Sequence, residues 1–174
     1  MKYLILGIGI FILTVVQTAL AQNFSINQVF PNFMLMLLVI VSIYASFHEA
    51  LAAALLAGML ADFVSALPDG VMTISFLILV MAIRLAGRLF SEKKENFLAQ
   101  AGVMLAAVVA YYFLAFFVSE IFARLGLGAS FSLVDSLKKI WLEAILDLIV
   151  LYPVYLYYLL VSKLMLRYAG EKSI

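Results

Sequence analysis

The sequence predicts an all-α integral membrane protein, folded as a compact bundle of six transmembrane helices. Three observations predict this fold class: 67% of the residues are apolar, only 12% are charged, and the mean hydropathy is +1.18. Soluble domains are about half apolar and about a quarter charged. A soluble fold of 174 residues has too little interior to hide this much apolar surface, so lipid must cover much of it.

The six spans follow from the length that a helix needs to cross the hydrocarbon, about 20 residues. Apolar stretches divided by short polar segments place the spans at 3–21, 31–45, 50–66, 71–90, 96–123 and 138–163. We expect one transmembrane domain over residues 1–174. The first stretch imitates a cleavable signal peptide, but it is long enough to span, so we expect it to be retained as a helix.

Turn-forming residues separate the second, third and fourth spans. Pro31 suits the first turn of the second helix. The segment 46–49 is interpreted as a turn before the third helix. The loop 67–70 contains Pro68 and Gly70, which favour a tight turn between the third and fourth helices.

The last helix is longer than one crossing requires. Ser132 and Asp135 have the spacing of a capping box, which predicts where this helix begins. The segment 133–141 is interpreted as an interfacial lead-in to the span 138–163. Pro153 is expected to kink the helix, because a proline removes one backbone hydrogen bond.

The distribution of Lys and Arg predicts the orientation, because cytoplasmic segments carry an excess of basic residues. With a cytoplasmic N-terminus, eight of the 11 basic residues fall on the inner side: Lys2, Arg84, Arg88, Lys93, Lys94, Lys163, Arg167 and Lys172. The outer side holds the other three: Arg124, Lys138 and Lys139. We therefore expect both termini in the cytoplasm and the loop 67–70 outside.

Two helices carry rows of small residues at helical spacing. The row on the third span consists of Ala50, Ala53, Ala54, Ala57, Gly58 and Ala61. The row on the fifth span consists of Gly102, Ala106 and Ala110. Small residues let helix backbones approach closely in lipid. We interpret the rows as packing faces within the bundle, with a face for another protein as the alternative.

Carboxylates collect in the outer half of the predicted bundle: Asp62, Asp69, Glu120, Glu143 and Asp147. Three interpretations remain open, because a charged group in a span needs a partner or water. The groups form a structural ion-pair network, or a docking site for a partner's transmembrane helix, or a pocket for a small cationic ligand or a catalytic carboxylate pair. The residues expected to form ion pairs or to contact a partner are Glu120, Arg124, Glu143 and Asp147.

The cytoplasmic half contains fewer charges within the spans. Arg84 and Arg88 lie one turn apart and can extend toward the interface. Glu49, at the start of the third helix, is expected to meet one of them.

Asp62 lies one turn before the end of the third span and should turn toward the bundle, because a lipid-facing carboxylate would be costly. We expect it to accept hydrogen bonds from the turn 65–70. Gly70 is expected to supply a backbone angle closed to other residues.

No motif for catalysis is present. The sequence contains no H-E-x-x-H, G-x-S-x-G, phosphate loop or dinucleotide fingerprint, so we expect neither an enzyme nor a cofactor site. The absence of cysteine excludes disulfides, thiolate metal sites and thiol catalysis. A net charge of +1 gives no reason to propose a nucleic-acid partner.

Six residues at the second to fourth helices carry a resemblance to a known family. They are Pro31, Gly58, Asp62, Ser65, Pro68 and Gly70. Their pattern resembles the MreD family of bacterial rod shape-determining proteins, in which a P-D-hydrophobic opening precedes a helix ending in G-x-x-x-D-x-x-S and a P-x-G turn. Asn32 stands where that family more commonly has Asp.

The resemblance implies a fold, a location and partners. It implies a multi-pass protein of the bacterial cytoplasmic membrane, with a bundle similar to the substrate-binding subunits of energy-coupling-factor vitamin transporters. The expected function is that of a non-catalytic scaffold in cell elongation, which binds an MreC-like protein and supports peptidoglycan synthesis. MreB, RodA and the transpeptidase of RodA are further expected partners, directly or indirectly.

A vitamin-capturing subunit of such a transporter is the alternative function. It would need a polar, aromatic-lined cavity open to the outside. The outer carboxylates and Trp141 are the residues available for one.

Overall fold

The computed structural model describes residues 2–23, 29–65, 67–87, 97–127 and 133–169. Within these ranges the chain forms six α-helices and no β-strand, so the predicted all-α fold is confirmed. The helices are α1 (Lys2–Asn23), α2 (Phe33–Tyr44), α3 (Phe47–Val64), α4 (Val71–Gly87), α5 (Phe97–Arg124) and α6 (Leu133–Ala169).

The helices differ in their ability to cross a membrane. Three segments are long and apolar enough to do so: Phe47–Val64, Gly102–Arg124 and Ile140–Met165. The other apolar segments are shorter: Tyr3–Ala19, Phe33–Tyr44 and Val71–Ala86. Three of the six predicted spans therefore meet this criterion within the described ranges.

The shortest helix, α2, lies at the centre of the bundle. Its 12 residues extend only about 18 Å, well below the thickness of the hydrocarbon. It contacts each of the other five helices, and every residue from Phe33 to Ser42 is buried. A helix that is apolar on all sides belongs in an interior. The segment predicted as the second span is thus surrounded by protein.

Two predicted helix starts are wrong by a few residues. The segment 46–49 is the first turn of α3, because Ser46 and Glu49 form a capping box that starts the helix at Phe47. Pro31 lies before α2, because the Asn32 side chain caps that helix by accepting from the Leu35 N–H group.

The last helix is continuous from Leu133 to Ala169 and includes Pro153. The predicted lead-in 133–141 is therefore part of α6. Ser132 and the side chains of Asp135, Lys138 and Lys139 lie outside the described part of the chain, as do Arg88, Lys93, Lys94 and Lys172.

The two rows of small residues lie in different surroundings. Ala50, Ala53, Ala54 and Ala57 of α3 are completely buried within the bundle, so this row is a packing face of the bundle itself. The row on α5 is exposed at Gly102 and Ala106, and a methyl group added at Gly102 would meet nothing within 4 Å.

Candidate functional site

The motif residues Gly58 and Asp62 hold α3 against the start of α4. A Cβ atom on Gly58 would lie 2.4 Å from the Thr73 Cα atom, so only glycine permits this approach. Asp62 lies four residues later and therefore on the same face of α3. The glycine brings the two backbones together, and the carboxylate then bonds the helix that has approached.

Asp62 caps α4 from the neighbouring helix. Its Oδ1 atom accepts from the Met72 N–H group at 2.8 Å. Its Oδ2 atom accepts from the Thr73 N–H group at 3.2 Å and from the Thr73 hydroxyl at 2.5 Å. The first N–H groups of a helix have no partner within it, and the helix dipole favours an anion there. Asp62 satisfies two of these groups while only 7% exposed.

The expected orientation of Asp62 toward the bundle is confirmed, but its expected partners were wrong. The observed partners of the Asp62 side chain belong to the first turn of α4 and not to the turn 65–70. Ser65 bonds within that turn instead, donating to the Asp62 carbonyl and accepting from the Leu67 N–H group, both at 3.3 Å. Gly70 has a φ of +98°, which confirms the expected special backbone angle.

A second polar group, which we call the carboxylate cluster, consists of Asn32, Tyr111, Tyr112, Glu143 and Asp147. It lies at the N-terminal end of α2, where the N–H groups need partners inside the bundle. The Asn32 N–H group donates to Asp147 Oδ1 at 2.7 Å, and the Asn32 side chain also interacts with Glu143 and Tyr111. Asn32 therefore links α2 to α5 and α6.

The two carboxyl groups of the cluster lie one helical turn apart on α6 and are almost inaccessible. Glu143 is 6% exposed and accepts a hydrogen bond from the Tyr112 hydroxyl. Asp147 is 0% exposed, and its Oδ2 atom has no hydrogen-bond partner among the residues that the structure describes. These carboxyls form part of the packed interior and do not line an open surface.

Tyr111 connects the carboxylate cluster to the α3–α4 turn. Its hydroxyl approaches the Met72 sulfur at 3.4 Å, and its ring lies 5.7 Å from that of Phe76. It also lies close enough to Asp62, Glu143 and Asp147 for their charges to act on it. The two polar groups are therefore neighbours at one end of the bundle.

The other two predicted ion-pair residues lie apart from the cluster. Arg124 Nε is 3.3 Å from Glu120 Oε1 on the surface of α5, and the two side chains are 79% and 36% exposed. They border a groove with Phe116, Phe117 and Ile121. The structure thus divides the four predicted residues into one exposed ion pair and one buried carboxyl pair.

The opposite end of α2 contains a different arrangement, centred on Arg84. The Arg84 guanidinium donates to the Ala45 carbonyl, which follows the last turn of α2. It also interacts electrostatically with Tyr158 and Glu49, as expected for Glu49. Tyr44 packs against Tyr158 with 6.2 Å between ring centroids. We call this group the arginine cluster.

Several side chains that complete these two clusters could not be predicted from the sequence. Tyr111 and Tyr112 lie in an apolar span, 31 residues or more before Glu143, with no spacing that relates them to it. No sequence pattern indicated that Thr73 would bond Asp62 either. A pattern did indicate a role for Asn32, because an asparagine directly before an apolar run is a typical helix cap. Among the described residues, no three His, Cys, Asp or Glu side chains are grouped to hold a metal ion.

Comparison with known proteins adds a family to this geometry. A family model described as rod shape-determining protein MreD matches residues 1–161. The chain belongs to the MreD family. The resemblance carried by the six motif residues is thereby confirmed over nearly the whole chain. No curated protein and no solved structure matches the chain.

Membership of the MreD family makes the chain a rod shape-determining membrane protein. This family is a structural one and is not known as an enzyme family. The apolar helices agree with a location in a membrane. Within this MreD chain, the motif residues Gly58 and Asp62 join α3 to α4. Their role is thus in helix packing.

Proposed function

We propose that this chain is a non-catalytic scaffold of the bacterial cell-elongation machinery, which binds an MreC-like membrane protein and supports peptidoglycan synthesis. The observation that carries the proposal is the MreD family match over residues 1–161. The contacts that the buried polar groups make are consistent with a scaffold. Asp62, Glu143 and Asn32 hold helices together and are not directed at an open pocket.

The scaffold is proposed to cross the cytoplasmic membrane six times, with both termini in the cytoplasm. The basic residues support this orientation. A bundle like that of energy-coupling-factor substrate-binding subunits is proposed as what membership of the MreD family implies. The shorter helices then cross where the membrane is locally thinned or where other helices shield them.

The topology can be tested by cysteine labelling, since the chain has no native cysteine. Asp69 and His48 lie in exposed turns at opposite ends of α3. In intact spheroplasts, a membrane-impermeant thiol reagent should label a cysteine at position 69 and not one at position 48. Labelling at 48 alone would reverse the orientation.

The exposed face of α5 is the proposed contact surface for the single transmembrane helix of the partner. Gly102 and Ala106 are exposed there and leave room for a close helix approach. Pairing of helices in lipid depends on such close packing and on hydrogen bonds. The external part of the partner would then sit over the outer turns that include Pro68 and Gly70.

The test is copurification of an MreC-like partner with Ala106→Leu. This variant should lose the partner while the bundle remains folded, because residue 106 lies on the exposed face of α5. Ala82→Leu is the matched control, since Ala82 is also exposed, but on α4. Ala53→Leu, at a fully buried position, should unfold the bundle itself. Retention of the partner by Ala106→Leu would remove α5 as the contact surface.

A vitamin-capturing transporter subunit remains the second candidate, because its bundle is the expected relative of this one. The burial of Asp147, Glu143 and Tyr111 weighs against it, since these side chains are almost inaccessible and do not line an open cavity. Purified protein that carries a tightly bound vitamin-like molecule, joins an ATPase module and lacks an MreC-like partner would favour this candidate over the scaffold.

A further inference from the structure

The Glu143–Asp147 pair has more negative charge than its surroundings compensate. Burial of a carboxylate is expensive unless hydrogen bonds and opposite charge replace water. Asp147 Oδ1 accepts the Asn32 N–H group, and Glu143 accepts the Tyr112 hydroxyl. Asp147 Oδ2 is buried and has no partner among the described residues. One carboxyl oxygen thus faces the interior without a donor.

The helices packed on α6 contribute little positive charge near the pair. These helices are α1, α2 and α5. The side chains that face the pair from them are Asn32, Tyr111 and Tyr112, and the Asp62 carboxylate lies beyond Tyr111. No described Lys, Arg or His side chain acts on either carboxyl.

The N-terminus of α2 supplies the compensation that is present. Its dipole is equivalent to about half a positive charge, which favours one nearby anion. Two carboxylates one turn apart exceed that charge, and like charges at this separation repel. The described side chains offer no group of three ligands that could hold a metal ion and so supply the missing positive charge.

We propose that Glu143 and Asp147 together bind one proton, held on Asp147 Oδ2. The proton comes from hydronium in the solvent, which leaves a water molecule. The new O–H bond removes one negative charge, and the pair retains a charge of minus one beside the N-terminus of α2. Protonation also turns the unpaired acceptor into a donor, with the Glu143 carboxylate one turn away. This proton site does not rest on the scaffold function.

Infrared spectroscopy of the purified protein in lipid tests the site directly. A protonated carboxyl has a carbonyl stretch separate from the carboxylate bands, and the band shifts in heavy water. We expect such a band at neutral pH in the wild-type protein and its loss in Asp147→Asn. Glu120→Gln is the matched control, because Glu120 is exposed and paired with Arg124. That variant should keep the band.

The pH dependence of stability provides a second readout. The folded pair binds one proton more than the unfolded chain at neutral pH, so unfolding releases a proton and stability falls as pH rises. One proton corresponds to about a tenfold change in the unfolding equilibrium constant per pH unit. We expect this slope from about pH 5, above the range where carboxyls of the unfolded chain titrate, up to neutral pH in the wild-type protein and not in Asp147→Asn or Glu143→Gln. Glu120→Gln should keep it.

The proposal is overturned if the wild-type protein shows no protonated carboxyl band, or if the band survives in both Asp147→Asn and Glu143→Gln. The first result would mean that both carboxylates are ionised, with their charge compensated by a cation that the described side chains do not supply. Loss of folding in Asp147→Asn would leave the wild-type spectrum and the Glu143→Gln variant to decide.

Discussion

At the N-terminal end of α2, three carboxyl groups lie inside the bundle, while at the C-terminal end the half-buried Arg84 is accompanied by one buried carboxyl group, that of Glu49. The carboxyl groups of Asp62 and Asp147 bond the N–H groups that begin α4 and α2. Arg84 bonds the Ala45 carbonyl just after the last turn of α2. Both arrangements place charge where the helix dipole favours it, anions at N-termini and a cation at a C-terminus.

The two ends differ in their access to water. Glu143 and Asp147 are buried, whereas Arg84 is half-buried and its long side chain can extend toward the interface. Loss of a buried acceptor leaves its donors without a partner, while water can replace part of what a partly exposed donor supplied. The comparison therefore predicts that substitutions at the carboxylate end affect stability more than substitutions at the arginine end.

The largest effect is expected for Asp62→Ala. The change removes three hydrogen bonds to Met72 and Thr73 and leaves their partly buried donors without this acceptor, so the free energy of unfolding should fall by about 2–4 kcal/mol. The measurement is an unfolding titration with a denaturing detergent. Asp69→Ala, in the exposed turn that follows, is the control and should change stability by less than about 0.5 kcal/mol. Equal effects at the two positions would refute the capping function of Asp62.

A smaller loss, about 1–3 kcal/mol, is expected for Gly58→Ala. The added methyl group would lie 2.4 Å from the Thr73 Cα atom, so α4 must move away and weaken the bonds to Asp62. Gly102→Ala is the matched control, because its methyl group meets nothing and alanine favours a helix. Thermal unfolding in detergent should show opposite shifts for the two variants. Parallel shifts would mean that the close approach of α3 and α4 does not matter.

The smallest effect is expected for Arg84→Gln at the arginine end. Loss of the bond to Ala45 should reduce the free energy of unfolding by about 0.5–1.5 kcal/mol, since water replaces part of the interaction. Arg167→Gln, on the exposed surface of α6, should be neutral in the same titration. If Arg84→Gln proves as damaging as Asp62→Ala, the proposed difference between the two ends is wrong.

The sequence predicts more of this fold than of its polar interior. Composition and span length identified the helices, because lipid demands long apolar segments whatever their partners are. The cost of a carboxylate in lipid also predicted that Asp62 turns inward. The partners of Asp62 could not be predicted, because Met72 and Thr73 reach it only through the packing of α4 on α3.

The contact between Asn32 and Asp147 was equally beyond the sequence. The two residues are 115 positions apart, and neither has a neighbour whose spacing indicates the other. The same holds for the central position of α2. Its apolar residues are equally consistent with a lipid-facing span, and only the arrangement of the other helices places it inside.

The central position of α2 has a consequence for the order in which the protein is made. The ribosome synthesises α2 second among the helices, yet α6, which packs against α2, is synthesised last. The hydrogen bond from the Asn32 N–H group to Asp147 therefore cannot form until 115 further residues have been synthesised. Until then a helix of about 18 Å must remain in the membrane or the insertion machinery with an incomplete enclosure. Biogenesis of this bundle is thus completed by its last helix, and a nascent chain stopped before α6 would present its most apolar helix to whatever lies beside it.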